Sequence, residues 1–153
     1  MFRNLLSRLF TDAADPARLS GQDAEVAIAA LLVRLARADD HFGPAEKRRI
    51  DRILARRHGL SPAEAAERRV AAEMIEAEAP DTVRFTRTVK DRIELADRHD
   101  IIAAMWEVAY ADGRRDPDEE SLVRLVAGLL GINDRDSALA RQRALGSLGQ
   151  ADP

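Results

Sequence analysis

The chain has 153 residues, enough for one domain that buries a real core. Its 24 Lys and Arg nearly balance 27 Asp and Glu for a net charge of −3, so no global field draws it to nucleic acid or to an anionic membrane. It has no cysteine, which excludes disulfides, thiolate metal centres and cysteine nucleophiles and fits a reducing compartment.

Apolar residues make up 46% of the chain but aromatics only 4%, so alanine and leucine must supply the core, which suits closely packed helices. Residues 2–10 place Phe2, Leu5, Leu6 and Leu9 at helical spacing, away from Arg3 and Arg8. Two readings of this short amphipathic segment stay open: docking on the domain's own core, or weak contact with a membrane surface or a partner. Residues 1–21 are expected to form this segment and a linker, 22–145 the helical domain, and 146–153 a flexible tail.

The first long helix is expected after Asp23, as its N-cap, with Val26, Ile28, Leu31, Leu32 and Leu35 on a broad apolar face. The second opens at Pro44, carries Ile50, Ile53 and Leu54, and stops at Gly59. Ser61-Pro62-Ala63-Glu64 reads as a capping box for the third, whose apolar positions are Val70, Met74 and Ile75. Asp81 caps a fourth with Val83, Phe85 and Val89, extending toward Ile93 and Leu95. A fifth spans about His99 to Ala111 and carries the aromatic pair Trp106 and Tyr110, read as core and core edge. The sixth follows an acidic turn with Leu122, Leu125, Val126, Leu129 and Leu130 as its stripe, and Gly131 ends it. Asn133 or Asp134 caps a seventh, about Arg135 to Leu145. No segment alternates with period two, so the class is all-α, about seven helices.

A repeat organises the chain. Ala111-Asp112-Gly113-Arg114-Arg115-Asp116-Pro117 has a degraded upstream copy in Ala38-Asp39-Asp40-His41-Phe42-Gly43-Pro44, offset by 112 − 39 = 117 − 44 = 73. Before the turns, apolar positions 32, 33, 35, 36 and 38 match 105, 106, 108, 109 and 111. After them, Ile50, Ile53, Leu54 and Gly59 match Leu122, Leu125, Val126 and Gly131 at an offset of 72, which predicts turns differing by one residue. The expected architecture is a pseudo-twofold bundle of helix–acidic turn–helix units.

The doubled motif, and the run Met105-Trp106-Glu107-Val108-Ala109-Tyr110-Ala111-Asp112-Gly113 with Leu-Leu-Gly-Ile downstream, resembles the TerB, or tellurite-resistance protein B, domain over about residues 22–145. The resemblance implies an all-helical fold of two related helix groups. It also implies a link to tellurite resistance and other stress, with metal binding near the membrane, and it points to Asp39 and Asp112 with Glu46 and Glu119.

The carboxylates of the two turns are the candidate ligands for a divalent cation such as calcium, magnesium or manganese: Asp39, Asp40, Glu46, Asp112, Asp116 and Glu119. The competing reading is that acidic groups at a helix start only cap free N–H groups and meet the helix dipole. Asp40 stands where the second turn has Gly113, a departure expected to weaken a site in the first half. EF-hand spacing is absent, since Arg114 would occupy the third loop position and Pro117 the sixth.

His41, His58 and His99 have no zinc spacing, and no nucleophile elbow or phosphate loop occurs, so an enzyme is not expected. Arg48, Arg52 and Arg56 form an i, i+4 stripe, either a solvated face or a track for phosphates or anionic lipid, with no interleaved aromatics for nucleic acid. The expected partner is a protein, and the chain itself is expected in the cytoplasm or at the periphery of the inner membrane. No stretch is long and apolar enough to span a bilayer, and Met1-Phe2-Arg3-Asn4 opens no secretory signal.

Overall fold

The computed structural model describes Leu5, Leu19 and residues 21–38, 42–79, 81–111, 113 and 115–151, with the side chains of 147–151 excepted. Seven α-helices make up the described residues, and no strand occurs among them: α1 Gly21–Arg37, α2 Pro44–His58, α3 Pro62–Glu78, α4 Thr82–Lys90, α5 Leu95–Tyr110, α6 Pro117–Leu129 and α7 Asp134–Ala151. The all-α expectation holds.

α1 lies at the centre. Val26 to Val33 are eight consecutive residues at no more than 2% exposure, so this helix is apolar all the way round rather than along one stripe. Three of the eight are alanines, which let neighbouring helices approach closely, and α1 packs against α2, α3, α5 and α6. The two most extensive helix pairings are α1 with α3 and α5 with α7, so each hairpin has its own covering helix.

Most helix ends follow from local chemistry. Ser61 Oγ accepts from the Glu64 N–H at 3.1 Å and the Glu64 carboxylate accepts from the Ser61 N–H at 2.9 Å, the reciprocal box the sequence predicts. Asp81 caps α4 through the Arg84 N–H, and Asn133, not Asp134, caps α7 through the Asp136 N–H. Gly59 sits at φ 64° past α2, a left-handed turn that any side chain would strain.

Four expectations need correction. α1 begins at Gly21, so Asp23 lies inside the first turn and favours the helix by its charge rather than as the cap. α4 stops at Lys90, Ile93 is buried in the connection, and α5 starts at Leu95, four residues before the expected His99. α7 continues past Leu145 to Ala151, since Gly146 stays helical and nothing there turns the chain. On α3 the buried stripe is Ala65, Arg68, Ala72, Ile75 and Glu76, while Val70 and Met74 face solvent at 50% and 69% exposure.

The sixth helix changes the repeat itself. Its buried face is Val123, Val126, Ala127 and Leu130, and Leu125 is exposed. Ile50, Ile53 and Leu54 therefore correspond to Val123, Val126 and Ala127: 123 − 50 = 126 − 53 = 127 − 54 = 73. The helix ends agree, with Arg37 and Tyr110 closing α1 and α5 and Pro44 and Pro117 opening α2 and α6, each 73 apart. The two turns, 38–43 and 111–116, have the same length, and the expected one-residue difference is overturned. What differs is the far end, where α6 is 13 residues and α2 is 15.

Candidate functional site

The turns at 38–43 and 111–116 each join an apolar helix to one opened by proline, a residue whose missing N–H is harmless at that position. In the second turn Gly113 adopts φ 76° and its N–H reaches the Tyr110 carbonyl at 3.0 Å. The 73-residue register puts Glu46 and Glu119 at the same place, the third residue of α2 and of α6.

The carboxylates described there engage their own helix starts. Asp116 is the N-cap of α6, with Oδ1 accepting from the Asp118 N–H at 2.8 Å and the Glu119 N–H at 3.3 Å. Glu46 Oε2 accepts from the Gly43 N–H at 2.9 Å, and its other oxygen is 3.9 Å from Arg49. Glu119 is buried. Asp39, Asp40 and Asp112 lie outside the described residues. Among the described residues, no three His, Asp or Glu side chains are grouped to hold a metal ion. Asp116→Ala is expected to destabilise the protein by about 1 kcal/mol through loss of the cap. Urea titration in the presence of a chelator would measure that loss separately from any effect of a cation.

Two charged clusters flank the turns, and reading the carboxylates alone missed both. In the second half, Tyr110 donates to Glu120 Oε2 at 2.6 Å, while Arg141 Nε from α7 reaches the Tyr110 oxygen at 2.7 Å. Arg115 donates to the same Glu120 oxygen at 3.2 Å. The Tyr110 hydrogen bond, with Arg115 and Arg141 beside it, holds the Glu120 carboxyl below the usual carboxylate range against the opposing effect of burial. Burial, then the Glu120 contact, pushes the Tyr110 phenol up, against a smaller opposing pull from Arg141. Trp106 stacks on Tyr110 with ring centres 5.6 Å apart, and its indole N–H donates to Ser137 at 3.2 Å, so the pair is core as expected.

In the first half, Arg37 and Lys47 sit over the Phe42 ring at 5.0 and 5.3 Å, and α3 brings Glu76 and Glu73 to them. The signal for both clusters was the register: positions 37, 42 and 47 become 110, 115 and 120 when shifted by 73.

A third group closes the end of α2 on α5. Arg57 pairs with Asp100 and Glu107, Arg56 pairs with Glu107, and His58 Nε2 is 3.4 Å from Asp100. Burial pushes the Asp100 carboxyl up, but His58 and Arg57 outweigh it and hold it below its ordinary value. Arg57, Asp100 and Glu107 border a cavity of about 310 Å³ floored by alanines of α5 and α7. Arg48, Arg52 and Arg56 face outward along α2 as expected, and the helix's Asp51 is turned to Arg69. No helix among the described residues is long and apolar enough to cross a membrane.

No curated protein and no solved structure matches the chain. The family model for tellurite resistance protein TerB matches residues 25–142, from inside α1 to inside α7, and so takes in both hairpins and both turns. The chain belongs to the TerB family.

Proposed function

We propose that the chain is a non-enzymatic stress-response member of its family that takes a divalent cation at its acidic turns. The observation that supports this reading is the unbroken register, which sets Glu46 and Glu119 at equivalent helical positions after equal turns. The donor set suits a hard cation: every candidate is a carboxylate, and the bonds of Asp116 to its helix run through Oδ1 alone. Asp39, Asp40, Glu46, Asp112, Asp116 and Glu119 would hold the ion. Its charge would offset carboxylates at two helix starts and tie the hairpins together.

Calcium, magnesium or manganese is then expected to raise the melting temperature, because only the folded chain binds. The gain is about 1.4 kcal/mol when the cation is at roughly ten times its Kd. Asp39→Ala combined with Asp112→Ala should remove the rise. A melting temperature that stays flat in millimolar cation would sink the proposal.

The bonds of Glu46 and Asp116 to their own helix N–H groups favour a second reading, a metal-independent adaptor that docks a partner protein or a membrane surface. Leu5 is buried in the core at 1% exposure, so this reading rests on the charged faces more than on the N-terminal segment. Deleting residues 1–12 separates the alternatives. Lost co-sedimentation with an intact fold makes the segment a docking element, and unfolding makes it core.

A further inference from the structure

The equal register makes the two halves directly comparable, and the cluster beside the turn differs between them. In the second half the chain supplies its own carboxylate. Glu120 accepts from Tyr110, Arg115 and Arg141, and both Glu120 and Tyr110 are buried. In the first half a lysine, Lys47, stands at the carboxylate's position and an arginine, Arg37, at the tyrosine's. The side chains of Arg37 and Lys47 stay 41% and 38% exposed. With Phe42 and Glu73 they line a solvent-open depression of about 470 Å³.

The carboxylates that α3 sends there do not saturate these cations. Glu76 contacts Arg37 at 3.4 Å but also Arg34 at 3.2 Å, and Glu73 contacts Lys47 at 3.4 Å but also pairs with Arg69. Among the described residues, Arg37 and Lys47 each meet one oxygen of a carboxylate whose other oxygen is engaged by Arg34 or Arg69. Both are held over one aromatic ring, which fixes their position without using their hydrogen-bond donors.

We propose that this depression binds a carboxylate from outside the fold, the group that Glu120 provides internally in the other half. Arg37 and Lys47 donate charge-assisted hydrogen bonds to it, and the Phe42 ring covers its aliphatic stem. The carboxylate belongs either to a free organic acid or to an acidic side chain of a partner. Arg37, Phe42, Lys47 and Glu73 are not themselves among the proposed cation ligands, and the test needs no cation.

The test uses the full chain labelled with nitrogen-15. Glutarate is the free-acid probe, an acetylated glutamate-rich hexapeptide is the side-chain probe, and chloride at matched ionic strength is the control. Saturable shifts are expected at the Arg37 side-chain N–H and at the backbone amides of 42–47, with either acid and not with chloride. Tighter binding of the peptide assigns the site to a partner's side chain, and equal or tighter binding of glutarate assigns it to a free acid. Lys47→Gln should weaken binding roughly tenfold or more by removing one charge-assisted contact. Lys47→Glu, which puts a carboxylate where the second half has Glu120, should abolish it. Should Lys47→Glu disturb the fold, Arg37→Gln serves in its place, with circular dichroism as the check. Absence of shifts with both acids, or shifts that persist in these variants, would overturn the proposal.

Discussion

Trp106→Ala is expected to cost about 3–5 kcal/mol, the largest loss from any single side chain considered for this protein. The indole is 1% exposed in the C-terminal part of α5 and stacks on Tyr110. It also donates to Ser137 on α7, so its removal opens a cavity and orphans a buried hydroxyl in one step. Small domains have only about 5–15 kcal/mol in total, so the variant should sit near the edge of folding. Each kcal/mol moves the midpoint of a chain this long by about 3 °C, so thermal unfolding should shift down by roughly 10–15 °C. Trp106 is the only tryptophan, which makes its fluorescence a local probe of the wild type but requires circular dichroism for the variant. Trp106→Phe keeps most of the ring and loses the N–H, so it should recover more than half of the deficit. If the two variants are equally unstable, the hydrogen bond to Ser137 matters more than the packing, and the cavity argument is wrong.

Most helix ends are decided by near neighbours and show in the sequence, the start of α1 at Gly21 excepted. The box at Ser61 and Glu64, the cap at Asp81 and the prolines at 44 and 117 are settled within four residues of themselves and are where the sequence puts them, while between Asn133 and Asp134 the backbone selects Asn133. The face of α6 is not a local matter. Leu122, Leu125, Val126 and Leu129 make as good a helical stripe as Val123, Val126, Ala127 and Leu130, and hydrophobicity favours the leucines. The turn before α6 decides between them. It matches the first turn in length and so delivers Val123 to the place Ile50 holds in the other half. Val70 and Met74 are exposed for a related reason: the face that α3 buries carries Ala65, Ala72 and Ile75, and these two side chains lie off it.

The candidate site was legible only as positions. That Asp116 is an N-cap follows from its place before Pro117, but that Glu46 bonds the Gly43 N–H required the backbone. The clusters around Glu120 and Lys47 were hidden because they join residues ten apart across a turn and draw partners from α7 and α3. Once the register is fixed at 73, the sequence shows them at once: Arg37, Phe42 and Lys47 against Tyr110, Arg115 and Glu120.

Glu120→Ala carries the second large effect, about 2–3 kcal/mol at neutral pH. The substitution takes the acceptor from the Tyr110 hydroxyl and from two arginines. Arg115 is 58% exposed and returns to water, while Arg141, 23% exposed, still has the Tyr110 oxygen as an acceptor, so most of the cost falls on the buried tyrosine. The pH dependence has a definite sign. Glu120 has a lowered folded pKa, so the unfolded chain takes up this proton first as the solution is acidified. Its contribution is whole above the ordinary carboxylate value of 4.5 and is lost as pH falls through the lower folded value. Tyr110 works in the opposite direction, since its folded pKa is raised. The stability it contributes is whole below its ordinary value of 10.0 and is lost as pH rises through the raised one. Glu120→Gln keeps an acceptor for Tyr110 but cannot titrate, so it should lose less than Glu120→Ala at neutral pH and flatten the acid limb of the stability curve. Guanidinium midpoints measured from pH 3 to pH 7 would decide it. An acid limb equally steep in Glu120→Gln and wild type would place the titrating group elsewhere, with Asp100 under His58 and Arg57 the next to replace.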